Sequence, residues 1–88
     1  MYIIEFTEDA QQSVRALQKH APQAIKKLYR LLDELREHPR TGTGQVEQLK
    51  HFKNETWSRR ITREHRLVYE IHDNEILVLV ISAFGHYE

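Results

Sequence analysis

Residues 76–84, ILVLVISAF, are apolar at almost every position and rich in β-branched side chains. A run of this kind predicts a strand covered on both faces, and we expect it at the centre of a sheet. Three further strands are predicted upstream from their period-two alternation, at residues 46–49, 57–62 and 65–72. Asp73 and Asn74 mark the turn between the last two strands. The second half of the chain therefore predicts a mainly antiparallel sheet.

The first half of the chain carries the periodicity of helices. Residues 2–6 are short and apolar and predict an N-terminal strand. Thr7 is a candidate N-cap for a helix that runs to about His20, and Pro22 suits the start of a second helix. The apolar stripes are Ala10, Val14, Leu17 and Ala21 in the first helix, and Ile25, Leu28, Leu32 and Leu35 in the second, with Tyr29 and Leu31 beside them.

Together these elements predict an α+β fold with the order one strand, two helices, then three or four strands. We expect the helix hairpin to pack on one face of a mainly antiparallel sheet of four to five strands, with the other face free for function. His38 and Pro39 end the second helix, and residues 41–44, TGTG, predict a flexible connection into the sheet. No repeat or linker divides the chain, so residues 1–88 are expected to form a single domain.

Composition narrows the class of protein. A chain of 88 residues forms a thin core, and without cysteine it has no disulfide or thiolate metal site to support it. A reducing cytoplasm is the expected location. The N-terminus lacks the features of a signal peptide, and no apolar run approaches the roughly 20 residues of a membrane helix, so we expect no membrane partner.

Charge is balanced over the whole chain but not along it. There are 13 lysines and arginines and 13 aspartates and glutamates, which argues against a general nucleic-acid binder. Residues 42–66, however, hold six cations against three anions, and residues 67–88 hold no lysine or arginine. The sequence therefore contains a local basic patch. Solvated strand edges would give the same asymmetry, because charged side chains there also discourage aggregation.

The basic patch contains the groups that cut RNA without a metal. Cleavage at a ribose needs a base for the 2′-hydroxyl, a cation for the charge on the phosphoryl oxygens and an acid for the departing 5′-oxygen. Glu47 is a carboxylate among the cations Lys50, Arg60 and Arg66, and His86 stands near the end of the chain. Histidine titrates close to neutral pH and suits the role of acid.

Three segments carry a family resemblance: VEQLKH at residues 46–51, WSRRITREHRLVY at residues 57–69 and GHY at residues 85–87. With them the chain resembles the YoeB/Txe branch of the RelE toxin superfamily, strongly over residues 42–87 and in layout over residues 1–41. The resemblance implies a metal-independent endoribonuclease toxin that cuts messenger RNA in the A site of the ribosome. It implies no cofactor, and a cognate antitoxin protein as partner.

The resemblance also assigns residues. It implies Glu47 as general base, His86 as general acid and Arg66 as the phosphate-binding arginine. Lys50, Arg60 and Tyr87 match further positions that bind the RNA, where Tyr87 could stack on a base. Two features depart from the family: Val46 and Gln48 stand where prolines often flank the glutamate, and the chain is neutral where members are usually basic.

Each of these residues has a simpler interpretation. Glu47 could be a solvated strand glutamate, His86 an exposed terminal histidine and Tyr87 an aromatic packed on the sheet edge. Arg66 could form a cross-strand ion pair with Glu64 or Glu70. His51 and His65 are expected to be ordinary hydrogen-bonded strand residues. Six histidines invite a metal hypothesis, but they show no ligand spacing on a helix, so no metal site is predicted.

The site also depends on a register that the sequence leaves open. A two-residue turn at Arg63 and Glu64 would pair Ile61 with Arg66 and put Arg60 on the wrong face. A three-residue turn or a bulge would bring Arg60 and Arg66 to one face.

Three rival functions remain at this stage. The chain could be a non-catalytic relative that only binds its antitoxin and represses transcription with it, or a toxin that poisons another target such as gyrase. A free-standing RNA-binding protein is a third, although the neutral net charge speaks against it. Whether the free protein is a monomer or a dimer is left open.

Overall fold

The computed structural model describes residues 1–85 and shows two helices against one five-stranded sheet. The strands are β1 (Ile3–Phe6), β2 (Glu47–Leu49), β3 (Thr56–Arg60), β4 (Arg66–His72) and β5 (Leu77–Ser82). The helices are α1 (Glu8–His20) and α2 (Ile25–Glu37), with short 3-10 turns at Pro22–Ala24 and Asp73–Glu75. The predicted α+β fold is confirmed, with strand limits one or two residues from those expected.

The sheet has the strand order β1-β5-β4-β3-β2. Only β1 and β5 pair in parallel, and the other neighbours are antiparallel. The prediction that the last strand is central was wrong, since β4 takes the middle position. β5 is still an interior strand, with β1 on one side and β4, β3 and β2 on the other. Val78 and Val80 are fully buried and Leu77, Leu79 and Ile81 only half-buried, so the expected cover on both faces of β5 is partial.

The helices begin and end where the sequence indicates. Thr7 caps α1, and its hydroxyl accepts a hydrogen bond from the Ala10 N–H (3.0 Å). The 3-10 turn that opens with Pro22 links α1 to α2, which ends at Glu37, two residues before Pro39. Tyr29, expected beside the apolar stripe, has 57% of its surface exposed because it lies on the outer side of α2. Neither helix of residues 1–85 is long and apolar enough to cross a membrane.

The core lies between the helix hairpin and one face of the sheet. Its fully buried members from the helices are Ala10, Leu17, Leu28, Leu31 and Leu35, and those from the sheet are Leu67, Tyr69, Val78 and Val80. Along β4 the core positions are the odd-numbered ones, so Arg66, Val68 and Glu70 point to the other side. We call that other side of β2, β3 and β4 the open face; it carries Glu47, Ser58, Arg60, Arg66, Val68 and Glu70.

A charged cluster ties the loop after α2 to the edge of the sheet. Arg40 bonds both oxygens of Glu55 (2.8 and 3.0 Å) and also pairs with Asp73 (2.7 Å). Trp57 donates its indole N–H to Glu55, and Tyr2 donates its hydroxyl to Asp73. The hydrogen bonds from Arg40 hold the pKa of Glu55 below its usual range. The cluster therefore fixes the start of the segment that leads to β2.

Candidate active site

The strand register decides which polar side chains share the open face. Glu47 stands opposite Ser58, and Arg60 stands directly opposite Arg66. Side chains of paired residues point to the same side of a sheet, so Glu47, Arg60 and Arg66 lie on one face. The backbones of β2 and β4 are two strand spacings apart, roughly 10 Å. The Glu47 carboxylate therefore shares one face of the sheet with both arginines.

The turn between β3 and β4 sets this register. Ile61 N–H donates to the His65 carbonyl (2.9 Å), so these two residues close a three-residue turn over Thr62, Arg63 and Glu64. The Thr62 hydroxyl accepts from the N–H groups of Glu64 (3.2 Å) and His65 (3.1 Å) and holds the turn in shape. Of the two turns that the sequence allows, the structure has the one that pairs Arg60 with Arg66.

Arg60 and Arg66 form a cross-strand pair of like charges. Both side chains are half-buried, and directly opposed like charges destabilise a sheet. Within residues 1–85, no carboxylate forms an ion pair with Arg60 or Arg66. Within the same residues, Glu47 forms no ion pair with any cation. Glu70, which could have neutralised Arg66, instead bonds His72 (2.8 Å) and Asn54 (3.3 Å). The pair is thus available to bind an anion.

Ser58 was not recognised as a site residue in the sequence, yet it lies between Glu47 and Arg66. It is 1% exposed, and its hydroxyl accepts a hydrogen bond from a terminal nitrogen of Arg66 (2.9 Å). The same residue is the cross-strand partner of Glu47. Ser58 therefore orients the Arg66 guanidinium beside Glu47. No local sequence motif marks it, because Arg66 and Glu47 are distant from it in sequence.

The loop that precedes β2 is fastened to β3. The Gly44 carbonyl accepts a hydrogen bond from the Arg60 N–H, and Gly44 has a φ of 97°. A Cβ at this position would lie 3.0 Å from the Arg60 carbonyl oxygen, so the close approach requires glycine. Glu47 follows three residues later and is exposed. Lys50 comes directly after β2 and is also exposed.

Arg59, the sequence neighbour of Arg60, is fully buried on the helix side of β3. Its guanidinium donates to five oxygens: Glu34 Oε1 (2.8 Å), the Tyr69 hydroxyl (3.1 Å) and the carbonyls of His38 (2.5 Å), Thr41 (2.7 Å) and Thr43 (3.5 Å). Tyr69 in turn donates to the Pro39 carbonyl (2.7 Å). We call Arg59 with these partners the Arg59 anchor. It fixes the loop over residues 38–43, which includes most of the connection that was predicted to be flexible over residues 41–44.

Glu34 completes the Arg59 anchor from α2. The Thr43 N–H donates to Glu34 Oε1 (2.9 Å), and the same oxygen accepts from Arg59. The hydrogen bond from Thr43, supported by the Arg59 charge, holds the pKa of Glu34 below its usual range. Gly42 lies against this pair, and a Cβ there would meet Glu34 Oε1 at 2.5 Å. The Arg59 anchor is therefore saturated and closed to a ligand.

The chain returns to the site at Gly85. Its carbonyl accepts a hydrogen bond from the Arg66 N–H (3.0 Å), so the end of the described chain meets the first residue of β4. His86 and Tyr87, predicted as general acid and RNA-binding residue, lie outside the described residues. Among residues 1–85 no group of three or more histidines, aspartates and glutamates is placed to hold a metal ion.

Comparison with known proteins identifies relatives of this chain in sequence and in structure. A family model described as the YoeB-like toxin of bacterial type II toxin-antitoxin systems matches residues 6–87. The toxin YoeB of Escherichia coli strain K12 is 46% identical over 54 residues. That match covers 61% of this chain and 64% of the relative, which is just under two thirds of its length.

Two solved structures extend the likeness to nearly the full length. The YoeB/ParE toxin from Agrobacterium tumefaciens has a TM-score of 0.86 and 30% identity, and the match covers 99% of this chain and 100% of that one. A chain in the heterotetrameric complex of the YoeB-YefM toxin-antitoxin from Staphylococcus aureus has a TM-score of 0.79 and 31% identity, with 99% of both chains covered. The arrangement of strands and helices described above is thus shared with these proteins.

Proposed function

The chain belongs to the YoeB-like toxins of bacterial type II toxin-antitoxin systems, and from this premise we propose that it is a ribosome-dependent messenger-RNA endonuclease. The observation that carries the proposal is the open face. It presents an exposed carboxylate, Glu47, next to two opposed arginines that no carboxylate within residues 1–85 neutralises. A like-charge pair lowers the stability of the sheet, and an RNA phosphate between the arginines offsets that cost.

The reaction is an internal transesterification. The Glu47 carboxylate accepts the proton of the ribose 2′-hydroxyl, and the 2′-oxygen attacks the adjacent phosphorus. Arg66 and Arg60 neutralise the charge on the phosphoryl oxygens of the five-coordinate intermediate. His86 donates a proton to the 5′-oxygen as its bond to phosphorus breaks. The products are a 2′,3′-cyclic phosphate and a 5′-hydroxyl, and every proton-transfer group is a side chain, so the mechanism needs no metal ion or cofactor.

Other residues bind the substrate. Lys50 is exposed directly after β2 and can hold a backbone phosphate next to the scissile one. Tyr87 would stack on a base, an interaction worth about 1–3 kcal/mol. The net charge of the chain is zero, so attraction to RNA comes from local cations such as Arg60, Arg66 and Lys50, and the ribosome supplies the rest of the binding.

The partner proposed for the resting state is a cognate antitoxin protein. A relative with 31% identity is found in the YoeB-YefM complex from Staphylococcus aureus. The unneutralised arginines of the open face would attract an acidic segment of such a partner, which would exclude the RNA. An enzyme that cuts messenger RNA during translation must act in the cytoplasm, where we place this protein.

Primer extension on a reporter messenger RNA tests the proposal. We expect cuts inside the reading frame after the protein is induced, and none when the start codon of the reporter is destroyed. A folded Arg66→Ala variant should give no cuts, whereas Arg63→Ala, in the exposed turn of the same hairpin, should cut as the wild type does.

Three outcomes would contradict the proposal in whole or in part. Intact messenger RNA together with gyrase-linked DNA breaks would favour a toxin that poisons another target. Intact messenger RNA with antitoxin-dependent repression of the operon, and no arrest of growth, would favour a non-catalytic relative. Cuts in the untranslated reporter would remove the dependence on the ribosome.

A further inference from the structure

Gly85, the last described residue, is held at both of its backbone polar groups. Its N–H donates to Nδ1 of His65 (2.9 Å), and its carbonyl accepts from the Arg66 N–H (3.0 Å). The two partners are neighbours in sequence, at the entrance to β4. The position of Gly85 relative to Arg66 is therefore set by two hydrogen bonds from adjacent residues.

The two residues before Gly85 are fixed as well. The Phe84 ring stacks on the His65 ring, with 4.5 Å between centroids and 24° between planes. Ala83 is fully buried, and its N–H donates to the Ser13 hydroxyl of α1 (2.8 Å). The chain beyond β5 is thus tied to α1 on one side and to the turn between β3 and β4 on the other. His65 makes two of these contacts.

The chemistry of the contact specifies the side chain at position 65. Nδ1 accepts the Gly85 N–H through its lone pair, so the contact requires an acceptor atom at this position of the side chain. A phenylalanine could keep the stack on Phe84 but offers no acceptor. The three-residue turn holds His65 in place, because the Thr62 hydroxyl accepts its N–H (3.1 Å). The turn that pairs Arg60 with Arg66 therefore also aims the His65 ring at Gly85.

We propose that His65 is a positioning residue that fixes Gly85 beside Arg66 and so sets where the terminal His86 and Tyr87 begin. The proposal rests on the proposed function for its catalytic consequence, since His86, the proposed proton donor, follows Gly85 directly in the sequence. Gly85 has a φ of 77°, a conformation that favours glycine, and a Cβ there would meet nothing within 4 Å. The backbone conformation and not crowding thus requires glycine at this point.

A matched pair of variants isolates the acceptor. His65→Phe keeps an aromatic ring for Phe84 and removes the acceptor, whereas His65→Asn removes the ring and keeps an oxygen acceptor close to the position of Nδ1. We expect cleavage of ribosome-bound messenger RNA in a single turnover to be about 10²-fold slower with His65→Phe, because misplacing a catalytic group by about 1 Å has an effect of that size. His65→Asn should recover most of the rate, and both should bind ribosomes within about threefold of the wild type.

A second measurement follows the hydrogen bond itself. The chain has only three glycines, so labelling with ¹⁵N-glycine gives three backbone signals, from Gly42, Gly44 and Gly85. We expect the Gly85 amide to exchange with solvent slowly in the wild type and in His65→Asn, and fast in His65→Phe. Gly42 and Gly44 belong to the loop before β2 and should exchange equally in all three proteins.

The outcomes separate the two proposals. Fast exchange at Gly85 in the wild type, or equal exchange in His65→Phe, would show that His65 does not hold Gly85. Wild-type cleavage by His65→Phe, or cleavage by His65→Asn as slow as that of His65→Phe, would overturn the role of the acceptor in catalysis. A wild-type protein that cuts no messenger RNA would reject the proposed function, and the exchange data would still decide whether the contact exists.

Discussion

Arg59 and Arg60 are adjacent in sequence and lie on opposite faces of β3. Arg59 is fully buried and donates to five oxygens in the Arg59 anchor. Arg60 is half-buried on the open face, opposite Arg66, and no carboxylate within residues 1–85 forms an ion pair with it. The contrast shows that two identical side chains differ in role because strand geometry sends alternate residues to opposite environments.

The environments explain the roles. A buried guanidinium must satisfy its donors within the protein, and once it has done so it has none left for a ligand. A guanidinium that faces solvent beside another arginine keeps its donors and raises the local positive potential. The Arg59 anchor thus shapes the loop that leads to Glu47, while the open face is the proposed site of anion binding.

The largest effect is expected from Arg59→Met, which should destabilise the protein by about 3–5 kcal/mol because it leaves a carboxylate and three carbonyls without their donor. The whole domain is held by only about 5–15 kcal/mol, so the variant should be largely unfolded near body temperature. Urea unfolding measures the effect. The matched control is Arg60→Met, which should stay within about 0.5 kcal/mol of the wild type. Equal destabilisation by the two variants would remove the distinction between the regions.

Arg66→Ala is expected to lower the rate of messenger-RNA cleavage by about 10²–10³, the effect of removing one group that stabilises charge in a transition state. Its free energy of unfolding should change by less than about 1 kcal/mol, because loss of the Ser58 hydrogen bond is offset by relief of the repulsion from Arg60. Single-turnover cleavage and urea unfolding on the same sample check both parts. If Arg66→Ala lost free energy of unfolding together with its activity, Arg66 would have a structural role like that of Arg59.

Ser58→Ala should slow cleavage by about tenfold, because a hydrogen bond to a charged group contributes about 1.5–3 kcal/mol and only part of it is felt in the transition state. Ser58→Thr keeps the hydroxyl and serves as control. If Ser58 orients Arg66, a Ser58→Ala, Arg66→Ala double variant should be no slower than Arg66→Ala alone. Additive losses would mean that the two residues act independently.

The smallest effect is expected at Glu34, the carboxylate of the Arg59 anchor. The pKa of Glu34 is lowered in the folded protein, so Glu34 stabilises the fold above its unfolded pKa of about 4.3 and loses this contribution as the pH falls through the folded value. Unfolding free energies measured from about pH 6 down to about pH 3 should therefore fall less steeply in Glu34→Gln than in the wild type. The difference should be below about 1 kcal/mol, because the pair is partly solvated. An identical pH dependence of the unfolding free energy in the two proteins would show that the pKa of Glu34 is not lowered by folding.

The pKa of Glu55 is also lowered in the folded protein. The unfolding free energy of Glu34→Gln should therefore still fall with falling pH, because Glu55 contributes part of that dependence. A Glu34→Gln, Glu55→Gln double variant should remove more of it.

The sequence predicts the fold well because its signals are local. The N-cap at Thr7, the proline at position 22 and the alternation along β4 each depend on a few neighbouring residues. The middle position of β4 was missed because strand order depends on the pairing of β1, which is distant in sequence.

The candidate site was predicted less completely, and for one physical reason. Alternation along one strand shows only which of its own residues share a face. The length of the turn to the next strand decides which residues of that strand lie on the same face as them. Until the three-residue turn was known, the sequence could not show that Arg60 shares a face with Arg66. Ser58 and His65 act through partners 8 and 20 residues away, so no local motif marks them. His65, expected to be an ordinary strand residue, lies in the approach to β4.

The rate at which Glu47→Gln cuts messenger RNA on purified ribosomes tests the central claim most directly. The matched control is Gln48→Ala, since Gln48 is the next residue of β2 and pairs with Trp57 on the helix side. With the open face as the active site, Glu47→Gln should fold normally and cut about 10²–10⁴-fold more slowly in a single turnover, while Gln48→Ala cuts at the wild-type rate. Wild-type cleavage by folded Glu47→Gln would show that the carboxylate of the open face is not the base.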